Sequence, residues 1–333
     1  MLLTILGTRA DEADYQLGYV RHRARLAPVA LFDLLTPDER PDVIVALCTD
    51  EAKKATFPIL EEAVSGKTSV VCQDVPSDID EKSLDRFLDV MTGAAEQYPG
   101  STVMIDVTHG WRHLSFLMYV GALYLAALGR VTVGRIYYAL FAPSQGSQFF
   151  DLMPLLELPG WIHALETLRE TGSARPIAAA LQKHADSGPE ARAIGDIMRR
   201  ASDAHAAGLP IELGNAVDTY LSQKGKSLRK LLRDEHKLPL LAKVAEQLEG
   251  LLVPYRVASK KKDLALTEHE LRRQALLVDD LLNRGNLPAA LGLMNEWTVT
   301  WVLLKQGSTA SWLDYHTCRR KAAGKLAASA VLR

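Results

Sequence analysis

Cysteine is scarce in this chain of 333 residues: Cys48, Cys72 and Cys318 are odd in number and far apart. That spacing excludes a disulfide scaffold and a cysteine-rich zinc ribbon. Long apolar runs are missing too; none approaches the ~18 residues of a membrane-spanning helix. There is no G-x-x-x-x-G-K-[ST] segment, which removes the P-loop class, and no G-x-G-x-x-G, which leaves a nicotinamide-dependent oxidoreductase poorly supported. The opening MLLTILGTRADEADY has no basic segment before its apolar residues and no small-residue cleavage site. No signal peptide is read there, and the cytoplasm is the expected compartment. An excess of either charge is also lacking. With 39 Lys+Arg against 40 Asp+Glu the formal charge is -1, which excludes a polybasic nucleic-acid wrapper but not local basic patches.

What is present is ordinary globular usage, 48% hydrophobic and 24% charged. At ~150 residues per domain the length predicts about two domains, large enough to bury their cores without staples. Residues 1–155 alternate apolar runs with helical patterns. The runs are Leu2–Leu6, Pro28–Leu34, Val43–Leu47, Ser69–Cys72, Thr102–Val107 and Val131–Leu140. The helical patterns are Asp50–Val64, Asp80–Gln97 and Trp111–Leu128. Such alternation predicts an α/β fold with a parallel, doubly wound sheet, because a parallel crossover needs a helix to carry the chain back. A late hairpin pairs Val131–Leu140 with Gln148–Leu152. From Trp161 onward the sequence reads as helices with Gly and Pro punctuation, and the boundary between the halves falls near Leu155–Pro159.

Open parallel sheets bind ligands at the carboxyl ends of their strands. Two such ends carry unusual residues: Leu6-Gly7-Thr8-Arg9 after the first strand, and Asp106-Val107-Thr108-His109-Gly110-Trp111-Arg112 after the apolar Thr102–Val107 run. Gly7 and Gly110 permit close backbone approach, and a helix N-terminus offers free N–H groups to an anion. Arg112, in the first turn of its helix, sits where the dipole disfavours a cation, so an anionic partner explains it. Arg9 supplies a second positive group, and the hydroxyls of Thr8 and Thr108 are donors to phosphate or sugar oxygens. Asp106 is read as a ribose-hydroxyl acceptor or as an acceptor for its own loop. His109 and His113 are four apart, but no Glu lies between them and no third ligand is evident, so no metal is expected.

The strand end Leu6-Gly7-Thr8 followed by Tyr15, with Asp106-Val107-Thr108-His109-Gly110-Trp111-Arg112-His113-Leu114, resembles the CRISPR-associated Rossmann-like (CARF) sensors of type III systems. The similarity is to the CARF–HEPN branch with a D-x-T-H-G-[FW]-R signature. Segments Leu158–Ala164, Asn286–Leu291 and Asn295-Glu296-Trp297 are similar to that family as well. The resemblance implies a Rossmann-like sensing domain over 1–156, a helical connecting region over 157–265 and a HEPN-like helical region over 266–333, read as incomplete or degenerate. It implies a homodimer that binds cyclic oligoadenylate, most often the tetra-adenylate, as an allosteric ligand, with no cofactor, no metal and no membrane partner. It also implies a metal-independent endoribonuclease acting on single-stranded RNA. There a His moves protons and an Arg stabilises the charge developing on phosphate.

The Arg-x4-6-His signature of such nucleases is absent where the resemblance requires it, downstream of Leu287–Leu304. The tightest such spacing is Arg200 with His205, in the connecting region. Two alternatives therefore stand beside the sensor-nuclease: a cyclic oligoadenylate sensor without nuclease activity, and a ring nuclease that cuts its own ligand.

Overall fold

The computed structural model describes residues 1–333 except 78–80, 111, 130, 143–145, 184–188, 235–238, 259–262, 310 and 332–333. The chain divides into two compact units, Met1–Glu157 and Leu158–Arg333. In chain order the first contains β1 (Leu2–Ile5), β2 (Ala13–Leu17), β3 (Val20–Ala24), α1 (Ala27–Leu34), β4 (Val43–Cys48), α2 (Asp50–Ala55) and α3 (Phe57–Ala63). There follow β5 (Ser69–Asp74), α4 (Glu81–Glu96), β6 (Thr102–Asp106), α5 (Arg112–Leu128), β7 (Thr132–Ala142) and β8 (Gly146–Asp151).

The strands form one sheet in the order β3-β2-β8-β7-β6-β1-β4-β5. From β5 through β4, β1 and β6 to β7 all neighbours are parallel. β8 then returns antiparallel on β7, and β2 and β3 form an antiparallel hairpin beside it. The sheet is therefore mixed: the parallel part and the late hairpin are where the sequence puts them, and the β2–β3 hairpin is an addition the sequence reading did not include.

Side chains alternate between two cores. Leu3, Ile5, Val45, Leu47, Val103 and Ile105 face α4 and α5, whereas Leu2, Leu6, Ile44 and Ala46 face α1, α2 and α3. Burial on both faces is why the central strands read as unbroken apolar runs. Two expectations change. Pro28–Leu34 is not a strand but most of α1, with Pro28 in its first turn and seven buried residues; a run apolar on every side suits a buried helix equally well. Asp50–Val64 is two helices, because Pro58 has no N–H to carry the ladder across Thr56. At the join, Thr56 Oγ1 lies between the carbonyls of Gly7 and Ala52, at 2.7 and 3.0 Å.

β7 carries a bulge. Val103 pairs with Val133 but Met104 pairs with Arg135, so Gly134 is passed over. A Cβ there would lie 2.5 Å from Thr102 Cγ2.

α6 (Met153–Thr171) leads into the second unit, which continues with α7 (Arg175–Lys183), α8 (Pro189–Ala206), α9 (Pro210–Thr219) and, after a π-helical turn, α10 (Gly225–Asp234). The remaining helices are α11 (Pro239–Leu252), α12 (Glu268–Asn283), α13 (Leu287–Lys305) and α14 (Arg320–Val331). No strand occurs among the described residues of this unit. Trp161, Ile194, Tyr220 and Leu248 centre one core; Leu271, Val299, Leu303 and Trp312 centre a smaller one. Among the described residues no helix is long and apolar enough to cross a membrane.

Candidate functional site

The sheet's strand order reverses at β1. The chain leaves β1 for β4 and then β5 with α1, α2 and α3 on one face, and reaches β6 on β1's other side by way of α4 on the opposite face. Helices that diverge in this way leave a crevice at the carboxyl ends of β1 and β6. The two unusual strand ends both fall there.

The turn after β6 is held from within. Asp106 is fully buried. Its Oδ2 accepts from Thr4 Oγ1 at 2.9 Å, and its Oδ1 accepts from Thr108 N at 3.0 Å and Thr108 Oγ1 at 2.5 Å. The Thr108 hydroxyl also accepts from Ala139 N of β7 at 2.9 Å. His109 turns towards α1: its Nε2 accepts from Ala27 N at 2.9 Å, which puts the ring proton on Nδ1. Burial holds this imidazole below its usual pKa, against the smaller pull of Asp106. A neutral acceptor is what a helix N-terminus favours, because its dipole repels a cation. So Asp106, Thr108 and His109 build the turn with the groups that a ligand would otherwise use.

The turn after β1 lies against it. A Cβ on Gly7 would sit 3.3 Å from Gly110 N, while Gly110 has φ +94° and its own Cβ would meet Ile5 Cγ1 at 3.3 Å. Thr8 and Arg9 are exposed beyond this contact. Trp111 lies outside the described residues, as does the Arg112 side chain; the Arg112 backbone opens α5. Tyr15 of β2 is buried on the Asp106 side, stacked on Phe149 with 5.6 Å between ring centroids. Burial, aided by the Asp106 charge, pushes its hydroxyl up to about 12.

One cation at this rim was not singled out from sequence. Arg25, between β3 and α1, is exposed and donates from Nε to Ala10 O at 3.0 Å. It comes to the rim only because β2 and β3 form a hairpin, whose polar strands show little alternation.

In the second unit Arg200 and His205 do not converge. Five residues of α-helix turn them about 140° apart. Arg200 is exposed and lines an open recess with Asp203, Glu212 and Asn215. His205 is buried, with Nε2 2.6 Å from Asp280 Oδ2. Asp280 Oδ2 also accepts from Arg284 Nε at 2.7 Å, and Arg284 Nη1 reaches the carbonyls of Leu168 and Arg169 in the last turns of α6. Burial alone would raise the Asp280 carboxyl; hydrogen bonds from His205 and Arg284 outweigh it and hold it at about 2. Among the described residues no group of three or more His, Cys, Asp or Glu is placed to hold a metal ion.

The sequence matches no protein-family model, and no curated protein matches it. Solved structures do match. One is Enterococcus italicus Csm6 bound to cyclic hexa-2'-fluoro-hexa-dAMP, at 13% identity over 96% of this chain and 90% of that one, with a TM-score of 0.42. A likeness at that score carries no weight for the site described above.

Proposed function

We propose that the first unit is a CARF-type sensor of a type III CRISPR-associated effector, and that two copies of the chain bind one cyclic oligoadenylate, with the tetra-adenylate as the first ligand to test. The observation that carries this reading is the contact between Gly7 and Gly110 at the switch point. It brings the two signature-bearing turns together and leaves Thr8 and Arg9 exposed beside them. A ring of identical nucleotides suits a two-fold dimer, since each subunit repeats one set of contacts.

The hydrogen bonds divide the candidate residues into two kinds. Thr8 and Arg9 are exposed to meet phosphate and sugar, and Gly7 and Gly110 let the two turns close up beside them; Arg112 joins them on the sequence argument. Asp106, Thr108 and His109 are positioning residues that fix the second turn. The helical unit is then the effector, and its expected activity is cleavage of single-stranded RNA. One observation favours a second reading, ligand sensing without cleavage: Arg200 and His205 lie on different faces of α8, and His205 is held by Asp280.

One assay separates the readings. Purified protein is incubated with cyclic tetra-adenylate and a fluorescent single-stranded RNA, following ligand binding, ring integrity and RNA length. Ligand-dependent RNA cleavage is the expected result. Binding without turnover selects the second reading, and loss of the ring makes the sensor a ring nuclease. No binding to any cyclic oligoadenylate from three to six units would overturn the proposal.

A further inference from the structure

We propose that Arg25 is a phosphate-contacting residue of the rim, a cation that the D-x-T-H-G signature does not contain. The inference rests on the sensor reading and adds a contact to its site. Its basis is the way residues 25–27 are tied to both turns. Arg25 Nε donates to Ala10 O, just after Thr8 and Arg9, at 3.0 Å. Two residues on, Ala27 N donates to His109 Nε2 in the second turn at 2.9 Å. Arg25 is thus fixed beside the place where the turns meet.

Charge compensation sets it apart from its neighbours on the hairpin. Arg21 Nε donates to Gln16 Oε1 at 3.1 Å, and Arg23 pairs with Glu12 at 3.0 Å. For Arg25 the acceptor is a backbone carbonyl, and among the described residues no carboxylate pairs with it. Because Nε makes that bond, both Nη groups stay available, and a guanidinium presents them as a fork that fits two oxygens of one phosphodiester. Arg9, one residue before Ala10, is also exposed and without an ion pair among the described residues. Two uncompensated cations therefore flank Ala10, where the opposite strand end contributes a buried, fully bonded carboxylate.

The test compares wild type, Arg25→Gln, Arg25→Lys and Arg23→Gln for binding of cyclic tetra-adenylate over a range of salt. Arg25→Gln is expected to weaken binding about tenfold, the size of one charge-assisted hydrogen bond, and to lower the salt dependence by about one counterion. Arg25→Lys should fall between, keeping the charge but losing the fork. Arg23→Gln should stay within about twofold of wild type, and all variants should melt with wild type, since Arg25 is exposed and bonded only to a carbonyl. An Arg25→Gln protein that binds as tightly as a binding wild type overturns this inference alone. A wild type that binds no cyclic oligoadenylate overturns the sensor reading and this inference with it.

Discussion

Asp106 shows at the scale of one residue how the rim is made. A buried carboxylate is costly unless its oxygens are hydrogen-bonded, and three donors meet this one. Replacing it with Ala strands the Thr4 hydroxyl and frees Thr108 from the turn. Each buried polar group left unpaired costs about 1–3 kcal/mol, so Asp106→Ala should lower stability by at least that much in urea unfolding and weaken ligand binding as well. Asp106→Asn should be milder, because the amide oxygen can face Thr108 and the Thr4 hydroxyl can rotate to accept from the NH2. If Asp106→Ala unfolds like wild type, the carboxylate does not hold the turn. The sequence made these residues conspicuous but not their division of labour. Asp, Thr and His in one loop look like ligand groups until the N–H donors that Ala27 and Ala139 supply, from elsewhere in the chain, are known.

Elements were legible in proportion to how far their surroundings left a pattern. The central strands and α4 and α5 follow from runs and periodicities that local sequence displays. α1 was hidden because Ala27–Leu34 is apolar all round, and the β2–β3 hairpin because Ala-Asp-Tyr-Gln-Leu and Val-Arg-His-Arg-Ala are half exposed and mostly polar. Its one available signal was Gly18, at φ +61° in a two-residue turn. In the second unit α12 depends on a device that pattern cannot reveal. Glu270 and Arg273 are both buried and joined by two bonds, at 2.9 and 2.6 Å, while Gln274 Nε2 donates to Glu270 at 2.8 Å and Arg273 Nη1 to Pro210 O at 2.7 Å. Glu270→Ala should cost about 3–5 kcal/mol by leaving a buried cation unpaired. The double change Glu270→Leu with Arg273→Met should cost less than the two single changes added together. A double-mutant cycle from urea unfolding reads this directly; additive effects would mean that the two side chains do not act as a pair.

For the molecule as a whole, the two units should answer acid at different pH. His109 has its folded pKa pushed below 6.5 by burial. In the window just under about 6.5 the unfolded state binds more protons, so the stability His109 contributes is full above that value and is lost as pH falls. Asp280 follows the same sign lower down: held at about 2 against 3.8, its contribution is present above 3.8 and fades as pH falls towards 2. Mild acid should therefore loosen the first unit while the second keeps its strength, and limited proteolysis of both units across the two windows would show the order. Simultaneous weakening, or loss in the second unit first, contradicts it. The bulge at Gly134 has the widest reach of any feature here. Were Gly134 to take a regular place opposite Met104, every later β7 residue would slip by one and change face, sending Tyr137 and Ala139 outward and turning the Ala139 amide away from the Thr108 hydroxyl. The rim's register is kept by a glycine nearly a full strand away, where the bulge takes up one residue that the ladder leaves unpaired.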